Sequence, residues 1–144
     1  MDGAPLHSGM REGRSFIPTA EWIDARQVRG MAGERVALAY LTSCGWDIEV
    51  HRFKWGRHDL DLVARRDRLV AFVEVKTRRS LACGTPQESV GWRKRVIIGR
   101  LAELWRLRHG RPGDAYRFDL VAIRELGKGR YHIDHVGDAW RLGR

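Results

Sequence analysis

Residues 59–76 read Asp59-Leu60-Asp61-Leu62-Val63-Ala64-Arg65-Arg66-Asp67-Arg68-Leu69-Val70-Ala71-Phe72-Val73-Glu74-Val75-Lys76. Two strands joined by a turn at Asp67-Arg68 account for this pattern. Asp59 to Ala64 alternates, with Leu60 and Leu62 expected to face one way and Asp59, Asp61 and Val63 the other. Leu69 to Lys76 is dense in Val and Phe, as befits a strand inside a sheet. Charged side chains in so apolar a strand are costly unless they are paired or bind a cation. Glu74 shares its strand face with Lys76, and opposed side chains of a hairpin stand about 5 Å apart at Cβ. Asp61 and Glu74 are therefore expected to bring carboxylate oxygens to one place, with an ammonium group beside them.

The flanking segments supply the rest of a sheet and its cover. Trp46 to Trp55 carries Ile48, Val50 and Phe53 with charges between them and reads as a strand. From Gly30 or Gly33 to Ser43 the apolar residues Val36, Ala37, Tyr40 and Leu41 recur at helical spacing, and Gly45 stands where a cap is expected. Glu34 lies on the same helix side as Ala37, Leu38 and Leu41, so it needs either a buried basic residue or a bound cation. Downstream, residues 78–86 form a connection containing Gly84 and Pro86. A long helix from about Glu88 to Arg108 follows, with an apolar stripe of Val90, Ile97, Leu101 and Leu104. Arg117 to Arg124 reads as a strand with Phe118, Leu120 and Ala122 opposed to Asp119, Val121 and Ile123, and residues 131–136 as a short last strand.

The order of helix, three strands, long helix and two strands predicts an α/β fold. Its core is a central mixed five-stranded sheet flanked by helices, with the long helix crossing over to a parallel neighbour. Residues 1–28, broken by Gly3, Pro5, Gly9, Gly13 and Pro18, read as a flexible N-terminal extension with a short helix around Thr19 to Val28. Residues 29–144 then make one domain.

Lys and Arg number 27 against 18 Asp and Glu, a formal charge of +9. The excess is localised: residues 1–72 hold 11 basic and 10 acidic side chains, whereas residues 76–111 hold 10 and 2. A field concentrated in one stretch suits a polyanion and would make binding salt-dependent, although a solvated basic surface has the same composition. Arg93 and Arg95 lie on the wetter side of the long helix and suit phosphate clamping. Lys94 falls on the apolar stripe and either snorkels or points toward the acidic pair. Trp46, Trp55, Trp92 and Trp105 suggest base stacking, but positions on a strand or an amphipathic helix favour packing, with Trp55 the least settled because it abuts the Gly56-Arg57-His58 turn. No apolar run approaches a bilayer span, the N-terminus lacks a secretory pattern, and Cys44 and Cys83 lack metal-finger spacing. These features place the chain in a reducing cytoplasm.

Asp59 to Ala64, followed by Phe72-Val73-Glu74-Val75-Lys76-Thr77-Arg78, resembles the YraN family of bacterial proteins, the UPF0102 group, which is related to PD-(D/E)XK nucleases and archaeal Holliday-junction resolvases. Gly33-Glu34 with Ala37, Tyr40-Leu41, Val90 with Lys94, and Arg117-Phe118-Asp119 extend the likeness over residues 30–140. The resemblance implies a restriction-endonuclease-like core and a cytoplasmic protein of bacterial origin. It also implies a Mg²⁺- or Mn²⁺-dependent endonuclease acting on branched or structured DNA in repair or recombination, DNA being favoured over RNA. Asp61, Glu74 and Lys76 take the catalytic places. Asp61, Glu74, the Val75 carbonyl and Glu34 take the metal places, and Asp59 and His58 are accessory. Thr77, Arg78, Arg79, Arg93, Lys94 and Arg95 fall where nucleic acid would lie. Where the family usually has Gly-Glu-Ile-Asp, this chain has His58-Asp59-Leu60-Asp61, which shortens one acid and adds a bulky ring to the loop. A homodimer suits an enzyme that cuts two strands. A DNA- or RNA-binding module without turnover, and a structural partner with a vestigial site, stand as rival readings.

Overall fold

The computed structural model describes residues 10–16, 33–78 and 90–142. Its elements are β1 (Met10–Phe16), α1 (Gly33–Ser43), β2 (Asp47–Trp55), β3 (His58–Arg66), β4 (Leu69–Thr77), α2 (Trp92–His109), β5 (Ala115–Gly127) and β6 (Arg130–Trp140). They form a six-stranded sheet in the order β1-β6-β5-β4-β3-β2. β4 and β5 pair parallel, through the crossover that contains α2, and every other neighbouring pair is antiparallel.

Strand alternation divides the core between two faces. Under α1, Val36, Ala37, Tyr40 and Leu41 pack on Leu62, Ala64, Ala71, Val73, Val121 and Ile123. Under α2, Ile98, Leu101, Ala102 and Trp105 pack on Val63, Val70, Phe72, Leu120 and Val136. β4 is thus covered on both faces, which is why its sequence is so continuously apolar.

Two expectations need correction. The sheet has six strands and not five, because residues 10–16, assigned by sequence to the flexible extension, form β1 along the edge of β6. β1 (Met-Arg-Glu-Gly-Arg-Ser-Phe) has no apolar alternation. It is held by backbone pairing to β6 and by Phe16, whose ring meets Tyr40 edge-on at 5.4 Å. Pairing of that kind leaves little trace in a hydrophobic pattern. The remainder of the extension read from sequence lies outside the described residues.

The second correction concerns β3. Leu60 and Leu62 do not share a face: Leu62 packs under α1 and Leu60 under α2. Phe53, opposite Leu60 on β2, also packs on the α2 side, whereas His51, opposite Leu62, reaches Glu34 of α1. Both strands therefore change faces between these residues, where Arg52 and Asp61 are missing from the ladder and Arg52 takes a φ of +64°. A positive φ at a residue with a side chain is uncommon and costs energy, so this kink is imposed by its surroundings.

Away from the kink, the sheet buries one fully compensated acid. Asp119 is completely enclosed and accepts hydrogen bonds from His135 Nε2 at 2.8 Å and the Asp138 amide at 3.0 Å. Arg117 Nε lies 2.8 Å from the same carboxylate. Burial opposes ionisation, but the His135 hydrogen bond and the neighbouring charges hold this carboxyl below its usual range. Replacing Asp119 by Ala should break the buried ion pair with Arg117 and remove the acceptor of the His135 hydrogen bond, at a cost of about 3–5 kcal/mol of unfolding free energy. Urea denaturation measures this, and a loss below about 1 kcal/mol would mean that the network is slack.

Candidate metal and nucleic-acid site

The β3–β4 ladder runs from Arg66↔Leu69 to Leu62↔Val73 and then stops. Beyond that point the Val75 amide donates to Asp61 Oδ2 at 2.7 Å, so a side chain takes the place of a strand partner. In an extended strand the N–H and C=O of one residue point to the same edge, so the Val75 carbonyl faces this fork as well. β4 continues beside β5 through Glu74↔Leu120 and Lys76↔Ala122, which fixes Glu74 and Lys76 on the face covered by α2.

Asp61 and Glu74 meet at the fork, and both are buried. Their carboxyl groups lie within hydrogen-bonding reach of each other. Burial first, and then the Asp61 charge, push the Glu74 carboxyl up to about 7, against the partial offset of Lys94 and Lys76. Asp61 is also raised, by burial and by the nearby Glu34 charge, while the Val75 amide acts in the opposite direction. Lys76 Nζ and Lys94 Nζ each stand 3.7 Å from Glu74 Oε2, too far for a tight charge-assisted hydrogen bond. Glu74 Oε1 is buried and has no hydrogen-bond partner among the described residues. A buried carboxylate oxygen with no donor is the signature of a place where a cation or an added proton resides.

Glu34, at the start of α1, is held by Arg52 at 2.8 Å and His51 Nε2 at 3.2 Å. It acts on Asp61 through its charge. Among the described residues no three His, Cys, Asp or Glu side chains converge on one point. Asp59 is half-buried opposite Lys54 on β2, and His58 is exposed at the hairpin tip. Thr77 ends β4 against the first residue of α1, where a Cβ on Gly33 would collide with its Oγ1. The Arg78 amide donates to the Ile123 carbonyl at 2.7 Å, continuing β4 alongside β5. Arg79 lies outside the described residues. On α2, Arg93 is exposed with its guanidinium 5.6 Å from the Trp92 ring centre, and Lys94 turns inward to Glu74. Arg95 folds back onto the Val90 carbonyl at 2.8 Å and over the Trp140 ring.

Sequence reasoning missed His51 and Arg52. They lie on β2, 17 and 18 residues from the glutamate they hold, and an ordinary charged edge strand gives no sign of such a pairing.

The family described as uncharacterised protein family UPF0102 matches residues 33–123, which includes α1, β3, β4 and α2. A UPF0102 protein of Nocardia farcinica is 40% identical over 111 residues, covering 77% of this chain and 87% of its own. One from Geobacter sulfurreducens is 34% identical over 126 residues, covering 88% and 98%. One from Moorella thermoacetica is 40% identical over 98 residues, covering 68% and 82%. An α/β protein with an acidic pair at a strand fork is the class that the fold and site define. Within it, this chain belongs to the UPF0102 family.

The Glu74 carboxyl gives a signed pH dependence. Its pKa is raised from 4.5 to about 7 in the folded protein, so the folded state holds a proton that the unfolded chain has already lost. Its contribution to stability is complete below about pH 4.5 and is lost as pH rises through 7. Glu74→Gln should therefore melt above the wild type at pH 8 and close to it at pH 4.5. Thermal unfolding of the two proteins at both pH values checks this, and a gap that does not widen with pH would contradict the arrangement of the pair.

Proposed function

We propose that this protein binds nucleic acid and hydrolyses phosphodiester bonds with the help of a divalent cation, on a core of the restriction-endonuclease kind. The observation that carries the reading is the orphaned, buried Glu74 Oε1 beside the Asp61 carboxylate and two lysines. Buried carboxylate oxygens are normally provided with donors, as those of Asp119 are by His135 and the Asp138 amide; among the described residues Glu74 Oε1 has none.

The donor set fits a hard cation, being carboxylate and carbonyl oxygens with no soft ligand. Asp61, Glu74 and the Val75 carbonyl would hold Mg²⁺ or Mn²⁺. When bound, such an ion supplies Lewis acidity toward a phosphate oxygen and lowers the pKa of water. The chain's own groups do the remaining work. The Val75 amide fixes the orientation of the Asp61 carboxylate. Lys76, about one-third exposed, can reach from Glu74 toward an attacking water or offset charge developing on phosphorus. Lys94 adds a second cation from α2, and the outward Arg93 would hold a flanking phosphate. DNA with branches or single-stranded segments is the favoured substrate.

One observation favours a second reading, a binding module without turnover. The third acid that the family resemblance assigns to the metal, Glu34, is engaged by Arg52 and His51. That reading expects binding which is indifferent to divalent ions.

The test uses duplex, flap, four-way-junction and single-stranded substrates with Mg²⁺, Mn²⁺ or EDTA, comparing wild type with Asp61→Ala, Glu74→Ala and Lys76→Ala. Metal-dependent cleavage that falls by about 100-fold or more in each variant is expected, with DNA affinity in EDTA retained. Equal cleavage by all four proteins would assign the activity to a contaminant. Tight binding without cleavage under any metal would leave the binding module.

A further inference from the structure

The kink at Arg52 and Asp61 rolls the tip of the β2–β3 hairpin toward α2, and a small cavity opens where they meet. It measures about 100 Å³ and is lined by Trp55, His58, Ile97, Arg100 and Leu101. That is well below the roughly 300–1,000 Å³ of sites for small organic ligands. Trp55 is 58% exposed and Trp92 is 71% exposed, whereas Trp46 and Trp105 are buried in the core. The two exposed indoles therefore contribute little to packing. On α2, Arg93, Ile97 and Arg100 follow one another at four- and three-residue steps, with Trp92 and Val96 beside them. This makes a ridge that alternates flat or apolar groups with guanidinium groups. Among the described residues no acidic side chain lines the cavity.

From this juxtaposition we infer that the cavity between the hairpin tip and α2 binds an unpaired nucleobase, stacked on Trp55, with Arg100 holding the adjoining phosphate. The inference rests on the nucleic-acid reading above and adds to it the part of the substrate that is recognised. Indole faces accept any base, and guanidinium groups alongside them supply the matching charge. The location also suits the acidic pair. His58 precedes Asp61 by three residues, about 10 Å along an extended strand. Ile97 follows Lys94 by about 5 Å of helix rise. A base held here lies about three stacked nucleotide steps, at ~3.4 Å each, from a phosphate at Asp61 and Glu74. A duplex keeps its bases paired and stacked and cannot offer one without opening. The cavity would therefore select single-stranded tails, flaps or unpaired junction bases beside the scissile position. An apolar side chain of a partner protein could enter the same space, but the flanking arginines and the charge of +9 favour a polyanion.

The experiment measures affinity in EDTA for a blunt duplex, for the same duplex with a short single-stranded tail, and for a tail carrying abasic positions, made as DNA and as RNA. Wild type should prefer the tailed duplex, and abasic positions should erase the preference. Trp55→Ala should weaken tailed binding about tenfold while changing blunt-duplex binding by less than about twofold. Trp55→Phe should restore most of the loss, and Arg100→Ala should reproduce it. Circular dichroism confirms folding in each variant. Equal losses on blunt and tailed duplex, or a tail preference insensitive to abasic substitution, would overturn the base pocket while leaving nucleic-acid binding standing. Wild type that binds none of the substrates would overturn both.

Discussion

The hydrogen bond from the Val75 amide to the Asp61 carboxylate governs this structure. An interior strand such as β4 ordinarily spends its backbone groups on neighbours at both edges. Here β3 leaves the ladder beyond Leu62, and the Val75 amide would lose its strand partner without a substitute acceptor. Asp61 provides one. The same bond orients the carboxylate, sets it beside Glu74, and leaves the Val75 carbonyl facing the opening. Structural necessity at the fork and the supply of oxygen ligands are thus one event.

Asp119 and Glu74 show two ways of burying an acid within one sheet. Asp119 is surrounded by His135, Arg117 and the Asp138 amide, and its carboxyl stays ionised despite complete enclosure. Glu74 faces another carboxylate, keeps two lysines at 3.7 Å, and retains a buried oxygen with no donor among the described residues. Both acids belong to the same sheet, Asp119 with its partner His135 on the side of Tyr40 and Trp46 and Glu74 on the face covered by α2. The Glu74 site is left open in hydrogen bonding among the described residues, and two carboxylates so close favour a proton or a cation between them. That preference links the pH behaviour of the fold to its proposed chemistry.

Much of the architecture was legible in the sequence because β3, β4, α1 and α2 bury apolar faces, and burial imposes periodicity. The positions of Glu74 and Lys76 on a common face followed directly from strand alternation. Alternation then failed at Leu60, because nothing in Asp59-Leu60-Asp61-Leu62 signals that the ladder breaks at Asp61 or that Arg52 opposite adopts a positive φ. β1 was illegible for a related reason: it is bound mainly through backbone groups, which every sequence possesses. The capture of Glu34 by His51 and Arg52 was hidden because it joins a helix to a strand through ordinary surface-type residues. Contacts that depend on apolar periodicity can be read from a sequence; contacts created by a local break in regular structure cannot.

That break has a consequence beyond the acidic pair. If β2 and β3 had stayed regular, Leu60 and Phe53 would lie under α1, and the hairpin tip would turn away from α2. The change of faces places both beneath α2, where Phe53 meets His109, and brings Trp55 and His58 to the flank that carries Ile97 and Arg100. The residues on either side of Asp61 are therefore committed to different helices: Glu34 of α1 is tethered through His51 and Arg52, and α2 receives the tip. Asp61 is the residue at which the part of β3 facing α1 and the part seated on α2 meet, and its bond to the Val75 amide closes the ladder at that point.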